Sequence, residues 1–280
     1  MISTAVTTRR LFIATSLLLA SAVMPASARA ETTDWVSNEG GRMRIVALAP
    51  DARGTVRGAL QIEPKAGWIT YWREPGDAGI PPHISFPETS DVSLSKISYP
   101  VPRRFDNGDV RDIGYDTAVS FPFELSVKNP NQSSAITASA FIGICRNICI
   151  PFQAEFNLGL KADGGTSFAE AMIINDAEGK LPEHPSDDFA VTHYSVSADG
   201  DTLRLRLQLP KDAPKKPQVI VTGPEGHVLF NETKGERLED SYSVDMPVGK
   251  LPKGYDMKGK HWGILVLAGK RAMETSLAFE

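Results

Sequence analysis

The stretch Phe141-Ile142-Gly143-Ile144-Cys145-Arg146-Asn147-Ile148-Cys149-Ile150-Pro151 holds the only two cysteines of a 280-residue chain, four positions apart. In a straight strand, residues four apart are separated by roughly 13 Å at about 3.3 Å per residue, whereas a disulfide needs Cα atoms within about 7 Å. A bond between Cys145 and Cys149 therefore requires a tight turn over residues 146–148. Asn147 tolerates the left-handed backbone that such turns often need. The stretch thus predicts a β-hairpin with both sulfurs at one end, where they are accessible for thiol chemistry.

Three interpretations of the cysteine pair stay open from the residues alone: redox exchange, a structural disulfide and metal binding. Closing a loop of about five residues stabilises a fold by roughly 2 kcal/mol, against roughly 4.7 kcal/mol for a hundred-residue loop, so the pair is a weak structural staple. This favours redox exchange, in which Arg146 could lower a thiol pKa if its side chain turns toward sulfur. The CxxxC spacing also suits a soft ion such as Cu(I), although two thiolates leave a zinc tetrahedron half empty.

The first thirty residues have the pattern of a secretory signal and are not expected to belong to the fold. A basic start at Arg9 and Arg10 precedes an uncharged apolar run over residues 11–24, and Ala28-Arg29-Ala30 has the small-x-small pattern of a signal-peptidase site. The apolar run is too short to span a membrane. We therefore predict export, cleavage after Ala30 and no membrane insertion of the mature chain. The export route, Sec or twin-arginine, stays open.

Charge and composition exclude several classes of partner. Three of the 30 lysines and arginines, and none of the 34 acids, lie in residues 1–30, so the mature chain has a formal charge of −7 (27 − 34). Such an acidic protein is not expected to bind nucleic acid or anionic membrane surfaces. The five histidines show no ligand spacing, and the chain has no nucleophile elbow, phosphate-binding glycine loop or HExxH motif. We therefore predict no metal ligand and no cofactor.

Short runs rich in Val, Ile and aromatic residues, bounded by Gly, Pro or Asp, predict β-strands in two groups. In the second group, Leu203, Leu205, Leu207 and Leu209 alternate with polar residues, as in a strand with one core face. The first group covers residues 43–49, 55–62, 68–72, 92–99, 118–127, 135–144 and 150–160. The second group covers residues 189–196, 202–209, 218–222, 227–232, 242–246, 262–268 and 273–279.

A polar stretch with glycines and prolines separates the two groups. Within it, Ser167-x-x-Glu170 is a capping-box pattern that predicts a helix over residues 168–177, inside a linker at 163–188. We therefore predict an all-β protein with two immunoglobulin-like β-sandwich domains, at residues 31–162 and 189–280, joined by a short helix-bearing linker. Each domain is expected to fold separately.

Two stretches of the first group are predicted to be loops. Residues 73–82 contain three prolines and two glycines, which exclude both helix and central strand. Residues 99–118 are predicted to form a long surface loop, and long loops inside compact domains are often functional. Phe105 is a large apolar residue among charges in that loop. It either folds under the loop into the core or belongs to a lid over a site.

Three motifs together resemble the N-terminal-domain family of DsbD, a thiol:disulfide interchange protein, and especially its ScsB-like branch. They are GICRNICIP at 143–151, YWREPGDAGIPP at 71–82, and YPVPRRF at 99–105 leading to Gly114-Tyr115. The resemblance spans roughly residues 35–160 and implies an immunoglobulin-like periplasmic domain that shuttles electrons by thiol–disulfide exchange, as a component of a protein-disulfide reductase.

The resemblance also implies roles and partners. In DsbD, a membrane domain passes electrons through a thioredoxin-like domain to this one, which then reduces periplasmic proteins. We expect neither of these domains within this chain, so its expected partners are a membrane electron donor of DsbD or ScsB type and periplasmic thiol client proteins. Cys149 is the expected attacking thiol, and Cys145 resolves the mixed disulfide. The direction of electron flow stays open.

Family members cover the cysteine pair with a cap loop that bears an aromatic residue. Here the resemblance implies a cap made by Phe105, Asn107 and Gly108. DsbD itself has a longer spacing between its cysteines, which bears on both turn geometry and redox potential. The alternative function is a copper-handling or adaptor module, in which the cysteine pair binds Cu(I) or is only structural.

Overall fold

Antiparallel strands form almost all of the regular structure in this computed structural model, which describes residues 32–280 apart from 89, 109, 162–166 and 231–234. The described strands form four sheets, arranged as two β-sandwiches, one from each group of predicted strands. The predicted all-β fold with two immunoglobulin-like domains is thereby confirmed. The predicted signal at 1–30 lies outside the described residues. No helix within the described ranges has the length and apolar character needed to cross a membrane.

The first sandwich packs two sheets face to face. Its strands are β1 (Val36–Ser37), β2 (Gly41–Ala47), β3 (Thr55–Pro64), β4 (Ile69–Gly76), β5 (His83–Ser85), β6 (Val92–Ile97), β7 (Arg103–Asn107), β8 (Val110–Tyr115), β9 (Val119–Val127), β10 (Ser134–Cys145) and β11 (Cys149–Leu160). A five-stranded sheet has the order β1-β2-β3-β9-β6. A six-stranded sheet has the order β11-β10-β4-β8-β7, with β5 also paired to β10. Alternate residues such as Phe121 and Ile142 are fully buried between the sheets, as expected for strands with one core face.

The prediction of a loop over residues 73–82 is wrong in its first part. β4 continues through Arg73 to Gly76. A register shift between Tyr71 and Gly76 interrupts its pairing with β8, so Pro75 lies outside the regular ladder, where its missing N–H costs no sheet hydrogen bond. The loop proper covers residues 77–82.

The predicted surface loop at 99–118 is instead a β-hairpin of β7 and β8. The two strands pair continuously from Arg103↔Gly114 to Asn107↔Val110. Gly108 begins the turn between them with a φ of 63°, a backbone conformation that glycine adopts without steric cost. The prediction failed because β7 is mostly charged and lacks the alternating pattern from which strands are inferred.

The predicted helix forms as α1 (Phe168–Glu178) and packs on the outer face of the five-stranded sheet. Ile174 is fully buried there against Val46 and Ala59. The guanidinium of Arg57 in β3 donates two hydrogen bonds to the Glu178 carboxylate, at 2.5 and 3.0 Å. The helix is therefore a docked element of the first sandwich as well as part of the connection.

The predicted capping box does not form. The Ser167 side chain makes no capping hydrogen bond. Glu170 instead accepts a hydrogen bond from the Thr32 hydroxyl at 2.8 Å and is 5% exposed. A tertiary contact has thus taken the side chain that the local pattern assigned to the helix end.

The second sandwich also has two sheets, each of four strands. Its strands are β12 (Ala190–Val196), β13 (Thr202–Gln208), β14 (Gln218–Thr222), β15 (Val228–Phe230), β16 (Glu236–Leu238), β17 (Ser241–Pro247), β18 (His261–Ala268) and β19 (Arg271–Ala278). The sheet orders are β12-β13-β17-β16 and β15-β14-β18-β19. The four alternating leucines of the sequence are buried, between 0% and 3% exposed, which confirms that they form a core face.

The sheet β15-β14-β18-β19 is buried on both faces because it also packs on the first sandwich. Val219, Ile220 and Val221 are all 0% exposed. Val219 and Val221 belong to the core of the second sandwich, whereas Ile220 and Phe230 belong to the apolar cluster of the first. The two sandwiches therefore share an apolar interface. Their separate folding, with the linker bounds at 163–188, stays a prediction.

Replacing Ile174 by alanine should destabilise the protein by about 2–4 kcal/mol, because the change empties a fully buried site. The matched control is Met172→Ala on the same helix, where the side chain is 56% exposed and the expected change is within about 0.5 kcal/mol. Urea unfolding of the full chain, followed by circular dichroism, measures both. Equal losses in the two variants would contradict the docking of α1.

Candidate functional site

The cysteine pair lies at the end of the β10–β11 hairpin. The strands pair antiparallel from Ser134↔Leu160 to Cys145↔Cys149, so the two cysteines face each other across the last pair of residues. They form a disulfide, with Cα atoms 4.1 Å apart. The turn over residues 146–148 is closed by a hydrogen bond from the Arg146 N–H to the Ile148 carbonyl, at 3.2 Å. This is the hairpin that a bonded pair requires.

The turn does not use a left-handed backbone at Asn147. Glu239 is the one non-glycine residue with a positive φ among the residues described, so the expectation for Asn147 is wrong. Three residues between the paired cysteines are enough for the chain to reverse with ordinary φ values.

Both cysteines lie on the outer face of the six-stranded sheet, away from the core. Ile144, next to Cys145, and Phe152, three residues after Cys149, are buried on the inner face, at 0% and 5% exposure, and side chains alternate along a strand. On the adjacent strand, Ile69 pairs with Cys145. Tyr71, two residues further along β4, therefore shares the outer face with the disulfide.

The two sulfurs differ in their access to solvent. Cys145 is 5% exposed, whereas Cys149 is exposed. Ile148, which precedes Cys149 in the turn, is 69% exposed. A thiolate that approaches from solvent can therefore reach the sulfur of Cys149 far more readily than that of Cys145.

The loop at residues 77–82 lies against this outer face. The carbonyl oxygen of Ala78 is 3.8 Å from Cys149 Sγ, and this is a packing contact because a disulfide sulfur carries no proton. Ile80 packs on Gly143 of β10, where an added Cβ would lie 2.7 Å from the Ile80 Cβ. Glycine at position 143 thus lets the loop approach the strand closely beside the cysteines.

Tyr71 connects the disulfide to a carboxylate. Its hydroxyl is 3.4 Å from Cys149 Sγ, and the Asp112 carboxylate of β8 is close enough to act on its pKa. Burial, followed by the negative charge of Asp112, raises the pKa of Tyr71 well above its ordinary value. Burial is also the largest cause that raises the pKa of Asp112, and the nearby charge of Asp77 acts in the same direction. The phenol therefore keeps its proton and can donate it to sulfur or to the carboxylate.

Hydrogen bonds fasten the loop at 77–82 to β8. The Asp77 N–H donates to the Arg111 carbonyl at 3.0 Å, and the Arg111 N–H donates to the Asp77 carboxylate at 2.9 Å. The Ala78 N–H donates to Asp112 Oδ1 at 3.3 Å. The position of Ala78 over Cys149 consequently depends on the position of the β7–β8 hairpin.

The predicted cap residues lie on that hairpin. Phe105 pairs directly opposite Asp112, so both side chains occupy the outer face that carries the disulfide. The guanidinium of Arg103 lies 5.6 Å from the Phe105 ring centre. Asn107 ends β7, and Gly108 is exposed at the tip. Shielding of the sulfurs by Phe105, Asn107 and Gly108 stays a prediction.

The predicted pKa modulator, Arg146, is exposed in the turn between the cysteines. Its side chain lies beside Gly67 in the turn before β4. An effect of Arg146 on a thiol pKa stays a prediction.

Three residues around Cys149 have no predicted role in the site: Tyr71, Ala78 and Asp112. Tyr71 and Ala78 lie inside the YWREPGDAGIPP motif, and that motif is the signal that points to them. Asp112 lies in no motif and reaches the site only because β8 pairs with β4.

The disulfide occupies both cysteine sulfurs, so the copper alternative concerns the reduced pair alone. Within the described parts of the chain, no group of three or more His, Cys, Asp or Glu side chains is arranged to hold a metal ion.

Comparison with known proteins agrees with the geometry of the site. Residues 43–161 match the family described as "Thiol:disulfide interchange protein DsbD, N-terminal". The crystal structure of the N-terminal periplasmic domain of ScsB from Proteus mirabilis is similar over 89% of this chain and 98% of that chain, with a TM-score of 0.72 and 24% sequence identity. No curated protein matches the chain. The ScsB likeness covers both sandwiches and is a likeness of fold. Residues 43–161, which carry Cys145 and Cys149, are similar to the DsbD N-terminal-domain family.

Proposed function

We propose that this protein is a periplasmic thiol–disulfide exchange protein that passes electrons to client proteins through Cys145 and Cys149. The observation that carries the proposal is the unequal exposure of the two sulfurs. Cys149 is exposed, while Cys145 is 5% exposed and directly opposite. Exchange needs one sulfur that partners can reach and a second that can displace them. The family of residues 43–161 supports the same chemistry.

Reduction follows from this arrangement in two steps. A donor thiolate attacks Cys149 Sγ, the bond to Cys145 breaks, and Cys145 leaves as a thiolate that takes up a proton. A second donor thiol then attacks the donor sulfur of the mixed disulfide and releases the thiolate of Cys149, which also takes up a proton. The donor becomes a disulfide, and two electrons and two protons have moved to the cysteine pair.

Delivery to a client reverses the roles. The thiolate of Cys149 attacks the client disulfide and forms a mixed disulfide. Cys145 then attacks Cys149 Sγ, which restores the internal bond and releases the client as a dithiol. The short Cα separation of 4.1 Å in the oxidised hairpin supports resolution by Cys145 without any large movement of the backbone.

The proposed partners follow the family. A membrane protein of DsbD or ScsB type supplies electrons, and periplasmic thiol proteins receive them. The relative from Proteus mirabilis is described as a periplasmic domain, which supports the same location for this chain. We further propose that Phe105, with Asn107 and Gly108, shields the pair between encounters, since Phe105 shares the outer sheet face with the disulfide.

The redox potential of the pair tests the proposed function. Reduction should lower the free energy of unfolding by no more than roughly 2 kcal/mol, because the five-residue ring constrains the unfolded chain little. The potential should lie above about −300 mV, the level below which structural disulfides of secreted proteins usually lie. Equilibration against glutathione or dithiothreitol, read by thiol counting and circular dichroism, measures both.

A redox potential far below that level, or loss of the fold on reduction, would favour a structural disulfide. Tight Cu(I) binding by the reduced pair without exchange would favour the copper alternative.

A pair of serine variants tests the unequal roles of the cysteines. Cys145→Ser should accumulate a mixed disulfide with oxidised glutathione, because Cys149 is exposed and no resolving thiol remains. Cys149→Ser is the matched control, and its buried thiol should form about tenfold less adduct in the same time. Non-reducing electrophoresis and intact-mass measurement read both variants. Equal adduct formation would contradict the assignment of Cys149 as the reacting sulfur.

Tyr71→Phe should slow alkylation of the Cys149 thiol about threefold at neutral pH. Loss of a hydrogen bond to a charged sulfur costs about 1.5 kcal/mol, which raises the thiol pKa by about one unit and leaves about tenfold less thiolate. The more basic thiolate is about threefold more nucleophilic, which offsets part of the loss. The rate with iodoacetamide, measured against pH in a Cys145→Ser background, gives both quantities. An unchanged pH profile would mean that the phenol donates only to Asp112.

A further inference from the structure

The β7–β8 hairpin has two faces with different partners. Phe105 and Asp112 are on the outer face, with the disulfide. Because side chains alternate along each strand, Arg104 and Arg111 are on the opposite face, together with the fully buried Ile113 that pairs with Arg104. This inner face meets the second sandwich.

Phe230, at the end of β15 in the second sandwich, contacts both strands of the hairpin. It is 5% exposed. The guanidinium carbon of Arg104 lies 4.4 Å from its ring centre, and that of Arg111 lies 5.3 Å away. A cation over an aromatic face is attracted to it, and more strongly where water is excluded. One side chain of the second sandwich thus holds an arginine from β7 and another from β8.

A continuous series of contacts runs from Phe230 to the reactive sulfur. Arg111, which contacts the ring, exchanges backbone and side-chain hydrogen bonds with Asp77, including one from Arg111 Nε to the carboxylate at 3.4 Å. The N–H of the next residue, Ala78, donates a hydrogen bond to Asp112. The Ala78 carbonyl oxygen lies 3.8 Å from Cys149 Sγ. Two residues, Arg111 and Asp77, therefore connect Phe230 of the second sandwich to Ala78, which covers the sulfur.

A second attachment lies on β4, the strand that carries Tyr71. Arg73 forms an ion pair with Glu274 of β19 in which the side chains are 29% and 25% exposed. The same guanidinium lies 4.1 Å from the ring centre of Trp72. The second sandwich thus contacts both β4, which carries Tyr71, and β8, which carries Asp112.

We propose that the second sandwich acts as a clamp on the cysteine site. Phe230 is a positioning residue that holds the β7–β8 hairpin and, through it, the loop at 77–82 against Cys149. The clamp limits access to this sulfur and sets the surroundings of its thiol. The inference rests on the proposed function, in which Cys149 is the sulfur that partners attack.

Phe230→Leu in the full chain, with Cys145→Ser as background, tests the clamp. Leucine keeps an apolar side chain but has no π face for the two guanidinium groups. The rate of Cys149 alkylation by iodoacetamide should rise at least about threefold, and its pH midpoint should move toward the value of about 8.5 for an ordinary exposed cysteine. Arg104→Gln, which removes one of the stacked cations, should act in the same direction.

The matched control is Phe279→Leu, at a partly buried phenylalanine that packs against the core of the second sandwich. Phe279 packs on Trp262 with ring centres 5.3 Å apart and has no part in the proposed clamp. Its variant should leave both the alkylation rate and the pH midpoint unchanged. This control separates a loosened second sandwich from a lost attachment to the hairpin.

Three results would overturn the clamp: no change of rate in either Phe230→Leu or Arg104→Gln with native circular dichroism, no shift of the pH midpoint, or equal acceleration by Phe279→Leu. If Phe230→Leu does not fold, Arg104→Gln decides.

Alkylation reports access to the Cys149 sulfur whatever the partner protein is. Acceleration in a protein that fails the potential and trapping tests would remove the proposed function and keep the clamp. Unchanged rates in a protein that passes those tests would do the reverse.

Discussion

The register of the β10–β11 ladder is the constraint on which the site depends. It places Cys145 opposite Cys149 on the outer face while alternate residues of β11, from Phe152 to Leu160, enter the core. A slip of one residue would part the cysteines and turn that apolar set toward solvent. Burial of the strand therefore holds the disulfide in place, and the disulfide does not have to hold the strand. This is consistent with a bond that can open while the sandwich stays folded.

The same alternation, repeated on neighbouring strands, places the side chains around the sulfur on one sheet face. Tyr71 of β4, Asp112 of β8 and Phe105 of β7 share one face with the cysteines, because each lies in register with its neighbour. All three are distant from the cysteines in the chain and come to share a face with them only through the order of the sheet. The opposite face of β7 and β8 supplies an attachment to the second sandwich through Arg104 and Arg111, so this hairpin lies between the cysteine site and that attachment.

Sequence patterns predicted the parts of the fold that hydrophobic burial decides. The alternating leucines of β13 and the paired strands around the cysteines are examples, because one buried face imposes a visible period of two. β7 shows where such patterns end. It is mostly charged, and its strand pairing coexists with contacts from Arg104 to Phe230 that no local signal reports. The capping pattern at Ser167 failed for a related reason, since Thr32 binds Glu170 from far away in the chain.

The candidate site divides in the same way. Cys145 and Cys149 could be identified from their number and spacing, and three motifs pointed to the family. Asp112 could not be identified, because its place beside Tyr71 follows from strand order and from a hairpin that the prolines and charges of residues 99–118 conceal. A residue such as Asp112, which acts beside another site residue, can be predicted only when the strand pairing is known. A single sequence specifies that pairing only weakly where residues are polar on both faces.

The unequal exposure of the two sulfurs also bears on oxidative damage. In the reduced protein, a small oxidant such as a peroxide would meet the exposed Cys149 first and convert it to a sulfenic acid. The thiol of Cys145 lies directly across the hairpin and would condense with that group, releasing water and restoring the disulfide. Irreversible steps to sulfinic and sulfonic acids would have to compete with this ring closure. The hairpin thus offers a route that returns an oxidised Cys149 to the reversible disulfide.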